Sequence, residues 1–130
     1  MIRQRHLLAY LVGAGIAGTL LVGPYVLRTA VIQLLPAAQV ARPPFFLLPI
    51  LWGVWNLLWV RLEPSIGIGG WGALLGVVAG LAVNLLFAVQ GTWFRSALLL
   101  PVFVAVVYYL FWRLIVGPVN VALGVDGESR

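Results

Sequence analysis

Residues 72–84, GALLGVVAGLAVN, contain a regular row of glycines within an apolar segment. Its glycines recur every fourth residue, at Gly72, Gly76 and Gly80, and Asn84 takes the next step. Four-residue steps keep these positions on one face of an α-helix. In water, each glycine would weaken such a helix by roughly 1 kcal/mol. In lipid, the same small-residue face lets another helix approach closely. The stretch therefore predicts a membrane helix with one closely packed face.

The composition of the whole chain indicates that lipid is part of its solvent. Of 130 residues, 63% are hydrophobic and 8% are charged, and the mean hydropathy is +1.09. A soluble domain carries about 25% charged residues, so this chain could not cover its surface with polar groups. The length allows four crossings of roughly 20 residues each. We expect an all-α integral membrane protein, a bundle of four transmembrane helices with short loops, forming a single domain over residues 1–130.

The apolar runs of the sequence place the four spans. We expect them at residues 7–27, 45–60, 71–89 and 97–116. The first run follows Arg3, Arg5 and His6 but is longer than the h-region of a signal peptide, so we expect an uncleaved span. Residues 28–35 have mixed polarity and are expected along the membrane interface, and residues 126–130 form a polar tail. No local pattern is expected to recur between the two halves, which argues against an inverted-repeat transporter.

The charged residues predict membrane orientation rather than nucleic-acid binding. All eight basic residues are arginines, scattered singly near the ends of apolar runs, and the net charge is +5. There they can reach anionic lipid headgroups, whereas nucleic acid would require a basic patch. With both termini inside, five arginines lie on the inner side and three outside, which favours a cytoplasmic N-terminus and C-terminus. Arginine without lysine is typical of high-GC coding, and we expect a multi-pass protein of the bacterial inner (plasma) membrane.

The spans contain no group on which catalysis or metal binding is usually built. The absence of cysteine excludes disulfides, thiolate metal sites and palmitoylation. His6 is the single histidine, and the acids Glu63, Asp126 and Glu128 lie outside the spans. A proton-coupled carrier usually needs a carboxylate or histidine within the membrane. We therefore expect no catalytic residues, no metal and no cofactor.

Polar and aromatic side chains within the spans are the remaining candidates for a site. Asn56 and Asn84 are costly to bury without partners. In antiparallel spans their depths differ by roughly 12 Å at 1.5 Å per residue, so each is expected to have a partner of its own. Trp52 and Trp55 lie too deep for an interfacial aromatic belt. They would either line a pocket for an apolar ligand or fill volume beside the glycine-rich third span.

Small residues predict where helices pack. Besides the glycine row of the third span, Ala14 and Gly18 form a four-residue step in the first span. We interpret both sets as helix-packing positions. The glycine row is expected to contact the first span, the second span, or a second copy of the chain through Asn84.

These features together favour a non-enzymatic packing or accessory subunit. It would associate with itself as a homo-oligomer, or with a larger membrane complex, in contact with anionic headgroups. One alternative is a small oligomeric transporter or channel, with Asn56, Asn84 and the tryptophans along the path. Another is a binding module for a lipid or other apolar ligand near Trp52 and Trp55.

Overall fold

The computed structural model describes residues 2–23, 25–26, 47–89, 91 and 99–125, which are helical apart from short turns. The first three helices are α1 (Ile2–Ala17, continued by a π-helical turn at Gly18–Val22), α2 (Leu48–Leu62) and α3 (Ile68–Val89). The last helix consists of α4 (Leu99–Phe111), a π-helical turn (Trp112–Val116) and α5 (Gly117–Ala122), without a break. The described residues contain no β-strand, so the prediction of an all-helical chain is confirmed for this part.

Three helical segments are long and apolar enough to cross a membrane. They are Gln4–Val22, Ile68–Val89 and Leu99–Ala122. The helix α2 is apolar but has 15 residues, which cover roughly 22 Å of a hydrocarbon core roughly 30 Å thick. The structure thus supports a membrane protein with three candidate spans, and the fourth crossing stays a prediction. The predicted interfacial segment 28–35 and the polar tail 126–130 lie outside the described residues.

The last helix continues past Gly117 and Pro118, although the sequence predicted its end at residue 116. Proline has no N–H, and within a regular α-helix its ring clashes with the carbonyl group four residues earlier. Here a π-helical turn precedes it, in which the N–H of Gly117 donates to the carbonyl oxygen of Trp112. The wider turn moves the preceding carbonyls relative to the proline ring, so the helix continues to Ala122.

The connection between α2 and α3 is short and begins with an unusual backbone conformation. Glu63, directly after α2, has φ of 44°, a left-handed conformation that commonly ends helices but is rare for a residue other than glycine. The first turn of α3 closes through a hydrogen bond of 3.0 Å from the N–H of Trp71 to the carbonyl oxygen of Gly67. After α3, Gly91 has φ of 72° and donates its N–H to Ala88.

The described helices form two compact units. Unit 1 contains α1, α2 and Leu123–Val125, and its core lies where α1 packs on α2. Unit 2 contains α3, α4 and α5, and its core lies where α3 packs on α4. The single domain expected from the sequence stays a prediction.

The second helices of the two units repeat one another in sequence. Residues 47–62, LLPILWGVWNLLWVRL, align without a gap with residues 99–114, LLPVFVAVVYYLFWRL. The identical pairs are Leu47/Leu99, Leu48/Leu100, Pro49/Pro101, Val54/Val106, Leu58/Leu110, Arg61/Arg113 and Leu62/Leu114. The expectation that no pattern recurs between the halves is therefore wrong. Most of the remaining pairs exchange one aliphatic or aromatic residue for another, while Gly53 aligns with Ala105 and Asn56 with Tyr108.

The helix contacts of the two units repeat in the same register. Gly13 of α1 lies against the α2 backbone at Trp52, and Gly76 of α3 lies against the α4 backbone at Val104, which is the aligned position. The buried positions of the first helices also correspond. They are Ala9, Val12, Gly13 and Ala17 in α1, and Gly72, Leu75, Gly76 and Gly80 in α3. Each unit is therefore a version of the same two-helix arrangement.

Candidate functional site

The glycine row of α3 faces α4 at backbone distance. A Cβ atom placed on Gly76 would lie 2.7 Å from the Cα atom of Ala105 and 2.7 Å from the carbonyl oxygen of Val104. A Cβ atom on Gly80 would lie 2.5 Å from the Cα atom of Pro101. No side chain fits at these distances, so the two helices approach one another as closely as their backbones allow.

Two aromatic side chains of the last helix cover the start of the same face. The buried side chain of Trp112 lies on Gly72. The ring of Tyr109 lies on Gly69, where a Cβ atom would be 2.8 Å from Cε2. The neighbour of the glycine face is thus the fourth predicted span, whereas the sequence favoured the first span, the second span or a second copy. The short connection makes the fourth span an antiparallel neighbour of α3. Its large side chains cover the start of the glycine face, and its small residues Ala105 and Pro101 lie against Gly76 and Gly80.

In unit 1, the glycines at the contact between α1 and α2 are Gly13 and Gly53. Gly13 lies against the α2 backbone, and a Cβ atom on Gly53 would lie 2.7 Å from the ring of Tyr10. Of the predicted packing pair, Ala14 is half-buried, and a Cβ atom on Gly18 would have no described atom within 4 Å. The contact therefore uses Gly13, which lies about 100° around the helix from Ala14.

Asn56 has a defined partner in the first helix. Its side chain is fully buried, and Nδ2 donates a hydrogen bond of 2.8 Å to the carbonyl oxygen of Ala9. A carbonyl oxygen has two lone pairs, so Ala9 can accept this bond and its helical bond together. The carboxamide thereby links α2 to α1, and interhelical hydrogen bonds of this kind contribute about 0.6 kcal/mol in membrane proteins.

Asn84 and Asn120 are the buried asparagines of unit 2. Asn84 follows the glycine row of α3, as its four-residue spacing predicts. Asn120 was missed in the sequence, because the helix was expected to end at residue 116. The available signal was a four-residue row with Trp112 and Val116, both of which are fully buried.

The two tryptophans singled out in the sequence differ in burial. Trp52 is 1% exposed, whereas Trp55 is half-buried. Trp52 lies one helical turn before Asn56, on the part of α2 whose backbone contacts Gly13. This position assigns Trp52 to the core of unit 1, and a ligand at either indole stays a hypothesis.

One exposed arginine of unit 2 is held by a neighbouring side chain. Nη1 of Arg113 donates a hydrogen bond of 2.7 Å to the hydroxyl oxygen of Tyr109, one turn earlier in the helix. The guanidinium carbon lies 5.8 Å from the centre of the Tyr109 ring. Because the ring rests on Gly69, the hydroxyl group presents a fixed acceptor to the guanidinium.

Within the described ranges, no group of three histidine, aspartate or glutamate side chains could hold a metal ion. The polar contacts of the described residues include the hydrogen bonds from Asn56 to Ala9, from Arg5 to Val125 and from Arg113 to Tyr109. No protein-family model, no curated protein and no solved structure matches this chain.

Proposed function

We propose that the chain is a non-enzymatic integral membrane subunit that packs with itself or with a larger membrane complex. The observation that carries this proposal is the inverted polarity of α3. Its buried positions include glycines and Asn84, while large aliphatic side chains point outward, with Val78, Leu81 and Leu85 each more than half exposed. A helix of a soluble protein has the opposite arrangement. Such an outward surface is stable only against lipid or other apolar helices.

Close packing supports a structural role rather than a catalytic one. The glycines of both units bring helix backbones into contact, and Asn56 bonds to a backbone carbonyl. Because these residues already stabilise the two helix pairs, an association between chains would use the outward aliphatic faces instead. This replaces the earlier hypothesis of a glycine-mediated dimer through α3.

The surrounding bilayer is the first partner in this proposal. Arg61 and Arg113 are exposed at the aligned positions of the two repeats, where their side chains can reach anionic headgroups. Arg5 donates from Nε to the carbonyl oxygen of Val125 at 2.5 Å. This hydrogen bond supports placing both ends of the chain on one side, which we propose is the cytoplasmic side of a bacterial plasma membrane.

Two measurements test the proposal. First, we expect the chain to stay in the membrane fraction after alkaline carbonate extraction, and its release would contradict membrane integration.

Second, the chain has no cysteine, so a single introduced cysteine reports association without background. We expect Leu81→Cys or Leu85→Cys to yield a disulfide-linked dimer in native membranes more readily than Ala79→Cys on the half-buried side of α3. No dimer, together with a monomer mass in complexes extracted with mild detergent, would contradict the subunit role.

A transporter or channel is the second candidate, and the buried asparagines favour it. Asn84 and Asn120 place carboxamides inside otherwise apolar helices of unit 2, and polar side chains in such positions often mark solute pathways. In liposomes containing the purified chain, solute flux should then fall in Asn84→Ala and Asn120→Ala. Wild-type flux in both variants would reject this role.

A further inference from the structure

We propose that Arg113 and Tyr109 form a binding site for the phosphate group of an anionic membrane lipid. The proposal rests on the membrane integration proposed above and assigns a specific lipid contact to it. Arg113 is exposed, and its guanidinium is held by the Tyr109 hydroxyl at 2.7 Å.

The position of the pair matches the headgroup region. Gly80 lies against Pro101 and Gly76 against Ala105, so each four-residue step back along α3 is matched by a four-residue step forward along α4. Two such steps beyond the contact of Gly76 with Ala105 bring Arg113 level with Ile68, where α3 begins. The preceding segment, residues 63–67, is a non-helical turn with the sequence EPSIG. A long arginine side chain at such a boundary extends toward lipid headgroups.

The donor set matches a phosphate diester. A guanidinium has five N–H donors in a planar fork, suited to two oxygens of one phosphate. The bond to Tyr109 uses an Nη1–H of Arg113, and the tyrosine oxygen is the acceptor in it. The tyrosine O–H proton can therefore be donated to a third group. Two parallel N–H bonds from Arg113 and one O–H bond from Tyr109 would together bind the two non-bridging oxygens of a lipid phosphate.

The packing of Tyr109 arranges these donors before the lipid binds. Glycine at position 69 lets the ring lie directly on the backbone of α3, and the ring carries the hydroxyl group that holds the guanidinium. An arginine side chain loses considerable rotamer freedom when it binds a ligand. A preformed bond to Tyr109 reduces that loss, which increases affinity.

The internal repeat provides a matched comparison within the same chain. Arg61 is the residue of unit 1 that aligns with Arg113, and it is also exposed. The position aligned with Tyr109 is Leu57, so Arg61 has the same charge at the aligned position but no tyrosine one turn before it. If charge alone attracted anionic lipid, the two arginines would be equivalent.

The experiment measures lipid binding to the full chain by native mass spectrometry in a mild non-ionic detergent, with phosphatidylglycerol and phosphatidylcholine as probes. We expect phosphatidylglycerol to bind more tightly than phosphatidylcholine, because the charge-assisted bonds favour an anion. Arg113→Gln should weaken phosphatidylglycerol binding about tenfold, and Arg113→Lys and Tyr109→Phe about threefold each. Arg61→Gln should leave it within about twofold of the wild type.

Further measurements separate this site from a bulk charge effect and from a free-phosphate site. Equal losses in Arg113→Gln and Arg61→Gln, or equal affinities for the two lipids, would overturn the proposal. Displacement of bound phosphatidylglycerol by equimolar inorganic phosphate or glycerol 3-phosphate would overturn the assignment to a lipid. Tyr109→Phe keeps the ring on Gly69, and an unchanged circular dichroism melting curve verifies its fold. Carbonate extraction of each variant shows whether membrane integration has failed or only the lipid site.

Discussion

At Gly76, hydrogen is the largest side chain that the fold accepts. A methyl group there would meet the Ala105 backbone at 2.7 Å, and backbone atoms cannot move aside as a flexible side chain can. Gly76→Ala should therefore force α3 and α4 apart, which costs about 1–3 kcal/mol and exceeds the gain of about 1 kcal/mol in helix propensity. We expect a lower free energy of unfolding, measured by SDS titration in mixed micelles with circular dichroism.

The matched control for this prediction is Gly70→Ala on the same helix. A Cβ atom on Gly70 would approach only the Ile66 side chain, at 3.7 Å, an ordinary van der Waals contact. This variant should be as stable as the wild type or more stable, because alanine favours the helix. Equal stability of Gly76→Ala and Gly70→Ala would show that the backbone contact at Gly76 does not limit the helix distance.

Residue spacing in the sequence predicted which face of α3 is small, but not what it contacts. The four-residue step depends only on helix geometry, so Gly72, Gly76 and Gly80 could be placed on one face directly. Their partners, Trp112 and the backbone near Ala105 and Pro101, are distant in sequence. Likewise, the partner of Asn56 is a backbone carbonyl, which every residue possesses and no sequence pattern identifies.

At the scale of the element, the π-helical turn at Trp112–Val116 sets the orientation of everything that follows it. A π turn is equivalent to an α-helix with one extra residue. Deleting Leu114 together with Pro118→Ala should therefore convert the turn to α-helix while Gly117 and Asn120 keep their buried face. We expect this variant to melt near the wild-type temperature in detergent, as followed by circular dichroism.

Deletion of Leu110, also combined with Pro118→Ala, is the control. Both leucines are exposed, at 46% for Leu110 and 64% for Leu114, so the two deletions remove comparable contacts. Deleting Leu110, however, rotates Trp112 by about 100° away from Gly72. Loss of a buried tryptophan contact costs about 3–5 kcal/mol, so this variant should melt at a much lower temperature. Similar melting of the two deletions would contradict the role assigned to the π turn.

Helix boundaries show where local rules succeed and where they fail. The third predicted span, residues 71–89, ends at the observed end of α3, Val89, because glycine-containing turn sequence follows it. The rule that Gly-Pro ends a helix failed at Gly117, because the π turn accommodates the proline ring. Whether a π turn forms depends on packing beyond the local sequence, here on the burial of Trp112 and Val116.

At the scale of the whole molecule, the two ends of the described chain meet through Arg5 and Val125. If the chain crosses the membrane an even number of times, both ends lie on one side. In sealed vesicles of known orientation, Gln4→Cys and Leu123→Cys should react with a membrane-impermeant maleimide from the same side. Both positions are exposed, so each cysteine is accessible.

Val89→Cys serves as the control for this topology, since it lies at the far end of α3 and is 80% exposed. We expect it to react from the opposite side. Labelling of positions 4 and 123 from different sides would require an odd number of crossings. That result would fit a chain in which the 15-residue helix α2 does not span the bilayer.

The helical class, the apolar segments and the small face of α3 could be predicted from the amino-acid sequence, because they depend on composition and on the 3.6-residue period. The folded structure was needed to show that this face contacts α4, that Gly13 rather than Gly18 contacts α2, and that Tyr109 holds Arg113. Each of these is a contact between residues distant in sequence or between side chains whose rotamers are set by packing. The repeat of residues 47–62 at 99–114 can be read from the sequence, whereas the matching contacts of Gly13 and Gly76 required the structure.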